Sequence, residues 1–147
     1  MNTDQKFQNV VELTNDWVWE VDEKIAFTHM TGSISELLGY TPDEVMGKTP
    51  FDFMTPEEAS RVAAFIRPIM EARKNYTFVE SRVIHKDGHE VVTEISGNPI
   101  YDEAGRFTGY RGIVRDITTR KRAEEQLRKR EEELREKTIR LEEVNQA

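Results

Sequence analysis

With 147 residues, 37% of them hydrophobic and 33% charged, the chain can bury one real core but has no apolar run near the roughly 20 residues of a membrane span. It contains no cysteine, which excludes disulfides, thiolate metal sites and thiol catalysis. The net charge of −7 falls on residues 1–115, with 12 Lys/Arg against 19 Asp/Glu, so that body is a poor surface for nucleic acid.

Residues 116–147 carry nine charges of each sign, and the change of composition marks a domain boundary near residue 116. The N-terminus, "MNTDQKFQNVVEL", lacks a basic-then-apolar secretory pattern, which makes a cytoplasmic chain the default expectation.

In chain order, Phe7, Val10, Val11 and Thr14 recur at helical spacing and predict a short N-terminal helix. "DWVWEV" then alternates, with Trp17, Trp19 and Val21 on one face, and "IAFTHMT" pairs back on it across "DEK". Three helix starts follow. Ser33 with Glu36, Thr41 with Glu44 and Thr55 with Glu58 each have the spacing of a capping box, the last two with proline at the first helical position. Gly39 and Gly47 suit the ends of the first two short helices.

A longer helix is predicted over 57–73, with Val62, Phe65, Ile66, Ile69 and Met70 on one face and a kink at Pro68. The period then becomes two. "YTFVESRVIH", "HEVVTEISGNPI" and "FTGYRGIVRDI" read as strands, joined by an Asp87-Gly88 hairpin and the longer loop "DEAGR". These elements imply an α+β fold: a five-stranded antiparallel sheet with helices on one face, followed by a C-terminal coiled-coil-like helix. The concavity between sheet and helices is the natural place for a small ligand.

The set "WVWEVDE", "ELLGYTPDEVMGK", "HKDGHEV", "GNPIYDEAGRFTGYRGIVRDIT" and "RKRAEEQL", in this order over about residues 8–130, resembles a PAS domain and its signalling linker. The resemblance implies a sensory, dimerising and non-enzymatic module at 1–117 and a linker helix at 118–147. It also implies an attached output, such as a histidine kinase, a diguanylate cyclase or a helix-turn-helix regulator. That output is absent, and "EEVNQA" carries no helix stop, so the chain reads as a piece of a longer regulator. The family commonly has a glycine in the first hairpin, where this chain has Ile25, so that turn is expected to be built differently.

The cofactor is unknown, and none is required by the sequence. Without cysteine the flavin–cysteine adduct of some family members is excluded, and residues 57–73 contain no histidine to serve as a haem ligand. His29, His85 and His89 read as dispersed structural or solvated residues, with no metal site. Trp19, Met30, Phe53, Phe65, Met70, Phe78 and Ile95 are the candidate pocket lining, and filling the core is the simpler reading of them. No phosphate-cradling loop, nucleophile elbow or histidine-centred triad is present, so no catalytic residue is assigned.

The tail from Thr118 is helical by composition. Glu124–Arg128, Glu125–Lys129, Glu131–Arg135, Glu133–Lys137 and Glu136–Arg140 are favourable i,i+4 pairs. Leu127, Leu134 and Leu141 recur every seven residues, but Ala123, Arg130, Lys137 and Val144 between them make a poor zipper. The bland expectation is a charge-paired solvated helix. The sharper one is a weak parallel coiled coil in a homodimer, poised to switch.

Arg120, Lys121 and Arg122 oppose the helix dipole in the first turn and are expected to face the acidic body. Asp116, Ile117 and Thr118 are the expected coupling step between strand and helix. Three functions follow: a ligand-sensing PAS module, a ligand-free dimerisation domain, or a flavin or haem redox sensor. Direct contact with nucleic acid or membrane is not expected.

Overall fold

A computed structural model describes residues 16–31 and 34–146. The predicted N-terminal helix and the Ser33 cap lie outside these residues. The chain divides into two compact units, residues 1–116 and 117–147. In the first, β1 (Asp16–Val21) and β2 (Phe27–Met30) are followed by α1 (Ile34–Leu38), α2 (Pro42–Val45), a single 3-10 turn (Pro50–Phe53) and α3 (Pro56–Glu71). Then come β3 (Tyr76–Ile84), β4 (Glu90–Tyr101) and β5 (Phe107–Asp116). The strands form one sheet in the order β2-β1-β5-β4-β3, every neighbouring pair antiparallel. The second unit contains α4 (Thr118–Gln146).

The helix starts follow from local chemistry. Thr41 accepts from the Glu44 backbone N–H while the Glu44 carboxylate accepts from the Thr41 N–H, a reciprocal cap that satisfies two otherwise orphaned donors. Thr55 likewise caps α3 by accepting from the Glu58 N–H. The Glu58 carboxylate does not return to Thr55. It accepts from Arg61 at 2.6 and 3.0 Å and from the backbone N–H of Arg82 at 2.6 Å, and Arg61 also donates to the Glu80 carbonyl. One glutamate therefore fastens α3 to the outer strand and covers part of an edge that would otherwise offer unpaired backbone groups.

The Arg61 guanidinium and the Arg82 N–H hold the Glu58 carboxyl below its ordinary value of 4.5. Between 4.5 and that lower folded value the unfolded chain binds more protons, so stability rises with pH there. Glu58→Gln should flatten the acid limb of a urea-midpoint profile taken from pH 7 to 3. After solvent screening the change should be below about 1 kcal/mol.

The helices bury Ile34, Leu37, Leu38, Val45, Val62 and Ile66 against Trp17, Trp19, Val21, Tyr76, Val79, Val83, Tyr110 and Val114 of the sheet. This is the single face expected of a sheet covered by an inserted helical segment. Helix α3 begins one residue before the predicted span, ends two before it, and continues through Pro68.

The first hairpin turns at Ile25, where the family commonly has glycine. Ile25 takes φ 66°, the left-handed conformation that glycine adopts at little cost. Asp22 holds it there by accepting from the N–H groups of Lys24 and Ala26, while Ile25 packs its partly buried side chain against the core.

Candidate functional site

The core is not completely filled. A cavity of about 70 Å³ lies between the helical segment and the inner face of the sheet. Of the seven residues expected to line a pocket, Trp19, Met30, Phe53, Met70 and Ile95 do so. They are joined by Ile25, Phe27, Tyr76 and Thr93, among others.

Phe65 and Phe78 correct the expectation: they are 57% and 70% exposed and do not reach the cavity. The reason for Phe78 is a register shift between Tyr76 and Val79, where Phe78 takes φ 55° and Ser96 Oγ accepts from its N–H. That irregularity moves the inward alternation from Tyr76 to Val79, Ser81 and Val83. On α3, only Val62 and Ile66 are buried, with Ile69 and Met70 partly buried, so the inward arc is narrower than the apolar stripe and Phe65 falls outside it.

The floor of the site depends on two glycines absent from the expected lining. Gly97 and Gly112 are direct cross-strand partners on β4 and β5, and Gly112 also pairs with Trp19. A Cβ at Gly112 would stand 2.6 Å from Trp19 Cζ2, and one at Gly97 would stand 3.0 Å from Trp19 Cη2 and 2.7 Å from the Tyr76 hydroxyl. The benzo edge of the indole therefore lies on bare backbone. Tyr76 stacks beside Trp19, with ring centres 6.5 Å apart and planes 18° from parallel. Burial, with Tyr110 adding to it, pushes the Tyr76 hydroxyl well above its ordinary range, so it brings no charge to the site at neutral pH.

Polar groups in the wall are few. The Thr93 hydroxyl donates to the Ser81 carbonyl at 3.2 Å and lies 2.8 Å from the Ser81 hydroxyl, so its capacity is used within the sheet. The Trp19 indole N–H is buried and reaches no acceptor among the described residues. Among the described residues no histidine or charged side chain lines the cavity.

The histidines on the second hairpin are not dispersed as the sequence reading has them. His85 and His89 are four apart across the Asp87-Gly88 turn, and the hairpin brings them and Asp87 within 4.8 Å of one another. The rings stack at 4.4 Å, and Asp87 Oδ1 lies 2.5 Å from His89 Nδ1. The Asp87 N–H donates to His85 Nδ1, so the cluster also has a structural role in closing the turn. The same turn is tied to the helical segment by the Lys86 N–H donating to the Leu38 carbonyl and by a 2.9 Å Lys86–Glu44 ion pair.

Toward the same end of the strands, Arg115 makes a two-pronged contact with Asp16 at 2.9 and 3.0 Å across β1 and β5. Sequence reading missed this pair, because neither residue's strand partner is visible before the register is known. Asp116 ends β5 opposite Thr93 of the cavity wall, Ile117 is buried, and Thr118 opens α4.

A family model described as the PAS fold matches residues 5–117. The chain belongs to the PAS fold family. A PAS domain is a sensory module of signalling proteins rather than a catalytic one.

This PAS chain is 27% identical over 107 residues to the C4-dicarboxylate transport sensor protein DctS of Rhodobacter capsulatus, a match covering 72% of this chain and 16% of that sensor. It thus spans about a sixth of that curated relative. The sensory box histidine kinase/response regulator of Burkholderia thailandensis superposes at a TM-score of 0.71 and 28% identity, over 89% of this chain and 98% of that one. A light-oxygen-voltage domain studied with a flavin analogue superposes at 0.67 and 19% identity over 87% and 96% of the two chains, a likeness of fold alone.

In α4 of the PAS chain, Leu127, Leu134 and Leu141 are all exposed. Of the predicted ion pairs, Glu136–Arg140 stands at 3.7 Å. Arg128 reaches forward to Glu132 at 2.8 Å rather than back to Glu124, which instead lies 3.7 Å from Arg120 and from Lys121. Among the described residues no helix is long and apolar enough to cross a membrane.

Proposed function

We propose that this PAS domain is the sensing and dimerising module of a larger signal-transduction protein. Its cavity admits a small molecule, and α4 passes the resulting change to an output domain. The observation that carries this reading is the placement of Thr93: it stands in the cavity wall and is the register partner of Asp116, the last residue of β5. A change in cavity occupancy that shifts β4 therefore acts on the strand end that leads through Ile117 and Thr118 into the helix.

The names of the similar proteins support the class of output. One is a transport sensor and another a sensory box histidine kinase/response regulator. A kinase, a diguanylate cyclase or a helix-turn-helix regulator would each accept a two-helix input.

The dimer is assigned to the stripe of Leu127, Leu134 and Leu141. With Arg130 and Lys137 between them the pairing is weak, and weak pairing is readily shifted by differential binding to two states. Replacing Leu134 by glutamate in the full chain should weaken self-association at least tenfold in sedimentation equilibrium while leaving the helical circular dichroism of the monomer in place. Unchanged association would remove α4 from the dimer.

The ligand-free dimerisation domain keeps one observation in its favour. A cavity of about 70 Å³ is well below the roughly 300–1,000 Å³ of sites for drug-sized ligands. The same size favours a molecule of few atoms over a flavin or a haem.

A further inference from the structure

The hairpin between β3 and β4 brings together three metal-ligating side chains that the cavity does not use. His85, Asp87 and His89 each offer one donor atom, and these atoms lie within 4.8 Å of one another. Asp87 Oδ1 is their common point, 3.2 Å from His85 Nδ1 and 2.5 Å from His89 Nδ1. A tetrahedral Zn²⁺, with bonds of about 2.0–2.2 Å, holds its ligand atoms about 3.3–3.6 Å apart. The His85–Asp87 separation is already close to that spacing, and a turn of the His89 ring opens the shorter one.

The hydrogen bonds of the turn show what a cation would displace. The Asp87 N–H donates to His85 Nδ1, so that nitrogen of the neutral ring carries a lone pair. A carboxylate oxygen only accepts, so His89 Nδ1 carries the proton in its bond to Asp87. A cation entering between the three atoms replaces that one proton and releases the Asp87 N–H to water. Both changes occur at an exposed turn, where water takes over the lost bonds.

The donors are reachable, and one of them is held in place. The side chains of Asp87 and His89 are 62% and 53% exposed, whereas that of His85 is 19% exposed. His85 lies against Gly39, just after α1, where a Cβ would stand 2.4 Å from its ring Cε1. The Lys86 bonds to the Leu38 carbonyl and to Glu44 fix the same turn. His85 is thus a preset ligand, and the outer His89 ring is the one that moves.

We propose that His85, Asp87 and His89 form a binding site for a divalent transition cation of the Zn²⁺ class, with water completing the coordination. Two imidazole nitrogens and one carboxylate favour Zn²⁺, Ni²⁺ or Cu²⁺ over Mg²⁺ and Ca²⁺, which take oxygen ligands. None of the three residues lines the cavity, so the site stands whatever the cavity holds.

The test titrates Zn²⁺ alone into the untagged full chain by calorimetry, and into His89→Ala, Asp87→Asn and His29→Ala. His29 is exposed on β2 and is not part of the cluster. The unsubstituted chain should bind one Zn²⁺. His89→Ala and Asp87→Asn should each weaken it by roughly tenfold or more, since losing a ligand costs at least as much as losing a residue that orients one. His29→Ala should leave the affinity unchanged, and excess Mg²⁺ should not compete.

The histidine ring protons give a second readout, in the unsubstituted chain, that needs no stable variant. Zn²⁺ should shift those of His85 and His89 and leave those of His29 in place. Zn²⁺ binding that survives both His89→Ala and Asp87→Asn would overturn the inference, as would shifts falling equally on His29. So would competition by Mg²⁺, or an unsubstituted chain that binds no Zn²⁺ when the metal is in large excess.

Discussion

Gly112→Ala is expected to cost about 3 kcal/mol or more, at the upper end of what overpacking a core does. The position is central to the sheet: β5 lies between β1 and β4, and Gly112 pairs with Trp19 on one side and Gly97 on the other. The added methyl would fall on the Ser96 carbonyl oxygen, well inside contact distance, and 2.9 Å from Gly97 Cα. Backbone on a hydrogen-bonded neighbour cannot rotate away as a side chain can.

Gly97→Ala meets only the rings of Tyr76 and Trp19, so it should cost less, about 1–3 kcal/mol. Urea denaturation of the two variants checks the order. A Gly112→Ala chain as stable as wild type would mean that the Trp19 floor is not built as described.

Phe53→Ala should destabilise by about 3–5 kcal/mol, whereas Phe65→Ala should stay within about 1 kcal/mol. Phe53 is buried in the cavity wall, with Tyr40 edge-on at 5.2 Å and Phe27 at 6.4 Å between ring centres. Truncating it removes buried surface and enlarges the cavity. Phe65 is already 57% exposed, and the methylenes it would lose are largely in contact with water. Thermal or urea unfolding of the pair separates the two residues. Equal costs would return Phe65 to the core position that the helical stripe of the sequence assigned it.

That stripe shows where sequence reasoning ends. The helix starts at Thr41 and Thr55 were legible because a cap is a local arrangement of a hydroxyl, a proline and an N–H three residues on. The hairpin at Asp87-Gly88 was legible for the same reason, and with it the order of the last three strands, although the turn is longer than the two residues expected: it closes from His85 to Gly88, with Lys86 and Asp87 at its centre. Phe78 was not, since strict alternation from Tyr76 places it inward and the register shift that turns it outward leaves no mark on the sequence.

The glycine floor under Trp19 was equally hidden. Gly97 and Gly112 look like weak points in their strands until the register sets them opposite each other. His85 and His89 were visible as letters, but their stacking is a product of the hairpin. The candidate site was therefore readable as a set of bulky apolar residues, while its floor and its link to Asp116 depend on pairing across strands.

The central claim is that what happens in the cavity is felt along α4. Sedimentation equilibrium of the full chain with and without saturating cyclopentanone, a small uncharged probe for the cavity, tests it most directly, with binding confirmed in the same sample by the methyl resonances of Ile95 and Val114 in the cavity wall. The account predicts a severalfold change in the self-association constant when the cavity is occupied, a change absent from the Leu134→Glu chain. A ligand that demonstrably binds while the association constant stays the same would contradict it.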